Sequence, residues 1–387
     1  MKTILQVTYD IRDRNGKEKT LAVKNLIRQT EQEYIPVTID IIRVPKLSEE
    51  KLNIKNNHLE FNVFGLPYGI FLMRHLNRTY KRVAEQVKDI KYELVHAHKL
   101  SFDGVVGYKL ALIRAVPLFI TIRQSDIAVM QYRPDLIPYY KKILTYASKI
   151  IFLTPSIVKE LEKKTGKSFF NREVINKLEF LPNIVERNVK ASEASMQNYF
   201  LTIARMSKDY VKIKNIWRLL KAFSMIEDKK IKLIIVGTGS FFPGVKKWVA
   251  KLGLSERVEF PGAVPHEEID SYHASAVAMV MPSKRESFGM VYAEALLNGT
   301  PIMYSTGVIG FDGVFNECGV GVDPFSIDSI RQGLEDLIKN NQALRETIKQ
   351  YKQQNAFDIF KENNIRKKYL HIISEILERE ENETVLS

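Results

Sequence analysis

Short apolar, β-branched runs alternate with amphipathic stretches along nearly the whole chain. That alternation restricts the fold more than any other feature of the sequence. In the first half TILQVTY, VTIDIIRV, LVHAH, PLFITI and KIIFLTP read as strands; in the second YFLTIAR, KLIIVGTG, RVEFPG, AVAMVMPS and TPIMYS do. Helical patterns such as IWRLLKAFSMI and VKKWVAKLGL lie between them. Strands of this kind, separated by helices, build parallel sheets covered on both faces. No short internal repeat competes with that reading. The expected fold class is α/β with doubly wound parallel sheets. At 387 residues the chain is long enough for two or three domains. The polar stretch PNIVERNVKASEASMQNY, residues 182–199, has no strand pattern before Tyr199 and is expected to link two of them. FKENNIRKKYLHIISEILERE carries apolar residues at helical spacing and reads as a long terminal helix.

Composition narrows the function classes. The single cysteine, Cys318, allows neither an intrachain disulfide nor a cysteine-based metal site, and fits a reducing cytoplasm. The longest apolar segment, LALIRAVPLFITI, is interrupted by Arg114 and Pro117, so no membrane-spanning helix is expected. The first residues, MKTILQVTYDIRDR, read as a strand followed by charge and not as a signal peptide. The net charge is +13, and residues 1–190 hold 33 Lys/Arg against 20 Asp/Glu, whereas residues 191–387 hold 25 of each. The whole excess lies in the first half. It points either to an anionic partner for that half or to lysine-rich solubility.

The stretch RESFGMVYAE, Arg285 to Glu294, places two carboxylates eight residues apart. On one continuous helix they would diverge by about 80°. With Glu286 in a loop leaving a strand, and Glu294 about one turn into a helix starting near Met290, both can reach the crevice at the carboxyl ends of a parallel sheet. The helix N-terminus there suits a phosphate, Gly289 lets backbone approach a ligand, and ionised carboxylates accept hydrogen bonds from hydroxyls. A phosphate beside several hydroxyls describes a sugar nucleotide. The alternative is a surface glutamate followed by an ordinary helix-start acid.

The segments Pro282–Gly289, Glu294-Ala295 and Gly299-Thr300-Pro301 resemble the E-x7-E signature of retaining family 4 glycosyltransferases, the glycosyl transferases group 1. The resemblance also covers IARMSKDYVKIKNIWRLLKAF, KLIIVGTGS and RVEFPGAVPHEEIDSYHASAVAMVMPS, most of residues 195–305, and touches VHAH and FLPN loosely in the first half. It implies the GT-B architecture of two Rossmann-like domains with the active site in the cleft between them. Residues 1–192 would bind the acceptor, with the terminal helix 360–387 packed back on that domain, and residues 193–359 would bind the nucleotide sugar. Arg205 and Lys214 would hold the donor diphosphate and Glu286 the transferred sugar. The backbone of Phe288, Gly289, Met290 and Val291 would face sugar and diphosphate, and Glu294 the ribose. Gly16 and Gly237 would allow close approach to the donor.

The reaction implied is retaining transfer from a UDP- or GDP-sugar to a saccharide or lipid-linked acceptor. Its setting would be surface polysaccharide biosynthesis in the cytoplasm, with the basic half against an anionic membrane face. Fixed cations in a dry site stabilise a departing diphosphate. The chain has no Asp-x-Asp, so neither a metal nor any other cofactor is expected.

Some positions depart from the family pattern. TIRQSD stands where many members have His-Gly-x-Asp, so Arg123 replaces the histidine while Asp126 is kept. Arginine cannot act as a base. Arg123 and Asp126 are therefore acceptor-side candidates, Arg123 toward a phosphate or an anionic sugar or, equally, in a structural ion pair. The long spacing from Arg205 leaves Lys208 and Lys212 as alternatives to Lys214. Gly237-Thr238-Gly239 lacks a third glycine for a dinucleotide fingerprint and reads as a strand-end turn. His96 and His98 fit core or cleft-lining positions better than a metal site, and His273 shows no partner pattern. LPYGIFLMRHLNRTYKRVAEQVK is either an amphipathic helix on the sheet or a membrane-facing one. Two other functions compete: a sugar-nucleotide epimerase or hydrolase of the same fold, which usually lacks E-x7-E, and a basic nucleic-acid-binding protein. The neutral second half and the absence of helix-turn-helix, zinc or RNP patterns argue against nucleic acid.

Overall fold

The computed structural model describes residues 1–9, 11, 21–66, 71–185 and 196–386. Gly16 and residues 186–195 of the expected linker lie outside the described residues. The chain divides into two compact units. Residues 1–153, 157–184 and 362–387 form one; residues 154–156 and 185–361 form the other.

The first unit holds an eight-stranded sheet. Its strands are β1 (Thr3–Thr8), β2 (Ile35–Val44), β3 (Lys51–Lys55), β4 (His58–Phe64), β5 (Leu94–Ala97), β6 (Leu118–Ile122), β7 (Lys149–Phe152) and β8 (Leu178–Phe180). They run in the order β3-β4-β2-β1-β5-β6-β7-β8, all parallel except the β3–β4 hairpin at one edge. Strands β3, β4 and β8 escape the sequence pattern. β3 is mostly exposed and reads as charged loop, and β4 places the polar Glu60 and Asn62 at buried positions. Asn53 Nδ2 donates to Glu60 Oε1 at 2.9 Å, which is how a carboxylate is tolerated there. The helix Glu362–Leu386 places Ile365, Tyr369, Ile372, Ile373 and Ile376 in one core with Ile4, Leu94, Phe119 and Ile151. That spacing is a helical stripe, and each such side chain contributes about 1.5–3 kcal/mol on burial.

The second unit holds six parallel strands: β9 (Tyr199–Ile203), β10 (Lys232–Val236), β11 (Val258–Gly262), β12 (Ala278–Val280), β13 (Ile302–Ser305) and β14 (Gly319–Val322). Their order is β11-β10-β9-β12-β13-β14. Counted within the unit this is 3-2-1-4-5-6, the dinucleotide-fold order, and it reverses between β9 and β12. β14, GVGV, is too glycine-rich to announce itself as a strand. Against this sheet the helix Ile216–Met225 buries Ile216, Leu219, Leu220 and Phe223, one face at helical period, among Phe200, Leu233 and Ile235. Both units are thus doubly wound parallel sheets, which is the α/β class read from the sequence.

Candidate functional site

At the reversal point of the second sheet the chain leaves β9 through Ala204 and Arg205 and leaves β12 through Met281 to Glu286. The first of these exits passes through the helix Lys208–Ile213 to Lys214 and Asn215, and then enters the helix Ile216–Met225. Asn215 sits at φ 60°, a left-handed conformation that asparagine tolerates better than most residues. Its buried Nδ2 donates to the Pro282 carbonyl at 3.1 Å and to the Pro324 carbonyl at 2.6 Å. The Lys284 N–H donates to the Ile213 carbonyl at 2.8 Å. The bonds to Pro282 and from Lys284 stitch the two exits together, and the bond to Pro324 ties them to the chain after β14.

Lys214 consequently meets Glu286: its Nζ donates to Oε2, with the side chains only 14% and 17% exposed. Such a pair is costly to desolvate, and the fold tolerates it because the carboxylate has further support. The Ser287 N–H donates to Glu286 Oε1 at 3.1 Å, and the Glu286 N–H donates to the Ile309 carbonyl at 2.8 Å. Lys208 and Lys212 are exposed, and among the described residues neither is paired with Glu286. Burial, with Arg218 and Lys212 nearby, draws the Lys284 ammonium below the ordinary lysine value, so positive charge is concentrated around this exit.

Gly289 then caps the helix Met290–Leu297 at φ 81°. A Cβ there would lie 2.4 Å from the Tyr292 ring and 2.9 Å from Glu286 Cγ. Tyr292 is itself fixed, donating its hydroxyl to the Met281 carbonyl at 2.7 Å. The Phe288 side chain belongs to the core, packed tilted and edge-on near Phe311 and Phe360, so only its backbone is left for a ligand. Met290 and Val291 open the helix, where backbone N–H groups lack intrahelical acceptors. Glu294 lies on the second turn, largely buried, with its Oε2 3.8 Å from His273 Nε2.

Arg205 is exposed, its guanidinium 5.2 Å above the Tyr210 ring, and it makes no ion pair among the described residues. The Gly237-Thr238-Gly239 turn packs onto the Arg205 exit. A Cβ on Gly237 would sit 2.0 Å from the Ala204 carbonyl oxygen, and one on Gly239 2.5 Å from the Met206 carbonyl carbon. Both glycines answer a chain-on-chain contact. Gly237 supports the Arg205 loop and is itself partly exposed.

In the first unit Arg123 and Asp126 are brought together, but both are buried. Arg123 Nε donates to the His98 carbonyl at 3.0 Å. Asp126 accepts from the Arg123 N–H at 2.8 Å, the Ser101 N–H at 2.8 Å and the Ser101 hydroxyl at 2.6 Å. Burial pushes the Asp126 carboxyl up, against those hydrogen bonds, which hold it down. This carboxylate clamps the loop after β5 to the helix Gln124–Tyr132. His96 and His98 are core residues. His96 is hydrogen-bonded through Nδ1 to the Tyr369 hydroxyl at 2.6 Å and through Nε2 to the Thr121 hydroxyl at 2.9 Å, while His98 Nε2 donates to Gln6 Oε1 at 2.9 Å. Among the described residues no group of histidine, cysteine, aspartate and glutamate is arranged to hold a metal ion.

Residues 185–355 match the family described as Glycosyl transferases group 1. The chain is 22% identical over 270 residues to alpha-monoglucosyldiacylglycerol synthase of Streptococcus pneumoniae, a match covering 64% of this chain and 60% of that protein. It is 24% identical to an uncharacterized glycosyltransferase of Methanocaldococcus jannaschii, covering 85% of this chain and 86% of the relative. In structure it superimposes on Anabaena HepE, solved in complex with UDP, with a TM-score of 0.67, 16% identity, and 97% and 100% of the two chains covered. The group 1 match spans less than half of the chain, and together with the fold it supports an enzyme of the glycosyltransferase type. The chain has the GT-B type of fold, and the group 1 match covers the sheet that carries Lys214 and the two glutamates.

Two residues that build this site were given no role from sequence. Asn215 could have been noticed as an asparagine directly after a lysine and before an amphipathic run, where a left-handed cap is needed. His273 left no local signal, because its partner is 21 residues away on another helix.

Proposed function

We propose that the enzyme transfers a sugar with retention of configuration from a UDP- or GDP-sugar to a hydroxyl of a saccharide or lipid-linked acceptor. The observation that supports this best is the Lys214–Glu286 pair at the sheet's reversal point, followed by the open helix start at Gly289–Val291 and by Glu294. Lysine has three donors. One serves Glu286, and the others are free in chemistry to meet a phosphate oxygen. Arg205, earlier on the same exit from β9, is a second cation. Glu286 accepts from hydroxyls of the transferred sugar, and Glu294 from the ribose.

In this reading the bond from the anomeric carbon to the diphosphate oxygen breaks, with its electron pair going to the diphosphate. Lys214, Arg205 and the helix N–H groups stabilise that developing charge. The acceptor hydroxyl forms the new bond on the same face, and its proton passes to a diphosphate oxygen. Arg123 and Asp126 act by shaping the loop after β5. Support for a lipid-linked acceptor comes from the name of the pneumococcal relative, whose product is a glycolipid, and from the basic first half. HepE with UDP supports the nucleotide.

The test is to incubate the enzyme with α-linked UDP- and GDP-sugars and candidate acceptors, and to read product anomers by NMR. An α-linked product is expected. A β-linked product overturns retention, and absence of binding of UDP and GDP by calorimetry overturns the donor assignment.

A further inference from the structure

Glu294 cannot do its work alone. A carboxylate that is largely buried must be held in place, or it turns to whatever donor is nearest. The helix His266–Ser275 lies against the helix Met290–Leu297 and presents His273, which is fully buried, to Glu294, with Nε2 3.8 Å from Oε2. Two hydrogen bonds fix the same two elements. Asn298 Nδ2 donates to Asp270 Oδ1 at 2.9 Å while also donating to the Glu294 carbonyl at 2.9 Å. The buried Thr300 hydroxyl donates to the His273 carbonyl at 2.5 Å. The residues just after the second glutamate, Asn298-Gly299-Thr300, therefore serve to anchor the segment that carries the histidine. Such an arrangement fixes the backbone that carries His273 against the helix of Glu294, which is more than a helix stop requires.

We propose that His273 is a positioning residue for nucleotide recognition: it stands behind Glu294 and holds its carboxylate toward the ribose hydroxyls of the donor. This rests on the reading of Glu294 as the ribose ligand. The imidazole touches no part of the nucleotide. Its effect is confined to the hydroxyls that Glu294 accepts from, and leaves base and diphosphate contacts as they are. Glutamine can place an amide N–H near the position of the imidazole Nε2, whereas alanine leaves the carboxylate without that support.

The experiment compares calorimetric affinities for UDP, GDP and ADP with those for their 2′,3′-dideoxy forms, in wild type, Glu294→Ala, His273→Ala and His273→Gln. The nucleotide that wild type binds is the probe. Wild type is expected to favour the ribose form by about tenfold or more, the size of hydrogen bonds to a charged acceptor. Glu294→Ala abolishes that preference. His273→Ala reduces it severalfold with the dideoxy affinity unchanged, and His273→Gln restores most of it. If Glu294→Ala removes the preference and His273→Ala does not, the positioning role is overturned and the ribose assignment stands. If Glu294→Ala itself leaves the preference intact, the ribose assignment falls and takes this inference with it. Equal weakening of both nucleotide forms in His273→Ala, with a lowered Tm, overturns it in favour of a packing role; if that variant does not fold, loss of the preference in His273→Gln overturns it.

Discussion

Lys214, Glu286 and Gly289 make different demands, and each can be tested separately. Removing the Lys214 ammonium leaves Glu286 largely buried without its cation and, in the proposed mechanism, takes a charge from the leaving group. Lys214→Ala is expected to lower kcat by about 100-fold or more, the scale seen for transition-state charge stabilisers. Lys214→Arg keeps the charge but not the compact ammonium, and should recover only part of the rate. Steady-state kinetics on the two variants decides this, and an unaltered kcat in Lys214→Ala would remove Lys214 from the mechanism. Gly289→Ala is a steric test. The backbone at φ 81° and a Cβ 2.4 Å from the buried Tyr292 ring leave no room for a methyl group. A destabilisation of about 1–3 kcal/mol is expected, together with loss of activity. Denaturant unfolding measures the first and turnover the second.

At the scale of elements, the strand–helix alternation was readable because most strands are buried on both faces and so show as uninterrupted apolar runs. What hid was local: β3 lies exposed at an edge, β4 buries the polar Asn62 and a Glu60 that takes a cross-strand bond from Asn53, and β14 is half glycine. Glu286 and Glu294 were legible because loop and helix start lie together in sequence. Asn215 and His273 were not, because their partners Pro282, Pro324 and Glu294 are distant along the chain. Strand β5 offers a test of its own. His96 is held well below the ordinary histidine value of 6.5 by burial, then by His98 and Arg123; His98 is held down by burial, then by Arg123. Both stay neutral in the fold. As pH falls through about 6.5, the unfolded chain takes up protons that the native state refuses, so stability is full above that pH and is lost below it. Two such groups give a slope of at most about 2.7 kcal/mol per pH unit. Urea unfolding at several pH values between 7.5 and 5 should show this decline, and His96→Gln with His98→Gln should flatten it. A wild-type curve that is flat over that range would mean that the histidines are not sealed from protons.

At the scale of the whole molecule the charge distribution outlasts every local explanation. The excess of 13 positive charges lies entirely in residues 1–190, and no described helix is long and apolar enough to cross a membrane. The first unit offers exposed cations at Arg74, Lys81 and Lys142, and on the neighbouring helices Leu72–Gln86 and Asp103–Arg114 the exposed Leu112 and Ile113 add apolar contact. Phe71 is exposed as well, beside Arg74. Basic side chains interspersed with exposed apolar ones suit an anionic lipid surface, each cation contributing about 1 kcal/mol near the headgroups. Solubility alone would require the charge but not the apolar residues beside it. The enzyme is therefore expected to sediment with phosphatidylglycerol vesicles and not with phosphatidylcholine vesicles. Raising salt from about 0.05 to 0.5 M should release it, as Debye screening shortens the field. Arg74→Glu with Lys81→Glu should reduce binding at least tenfold while nucleotide affinity, measured in the second unit, stays as in wild type. Binding equal on both lipids, or unmoved by the charge reversals, would return the basic half to a solubility role and leave the acceptor to be sought among water-soluble saccharides.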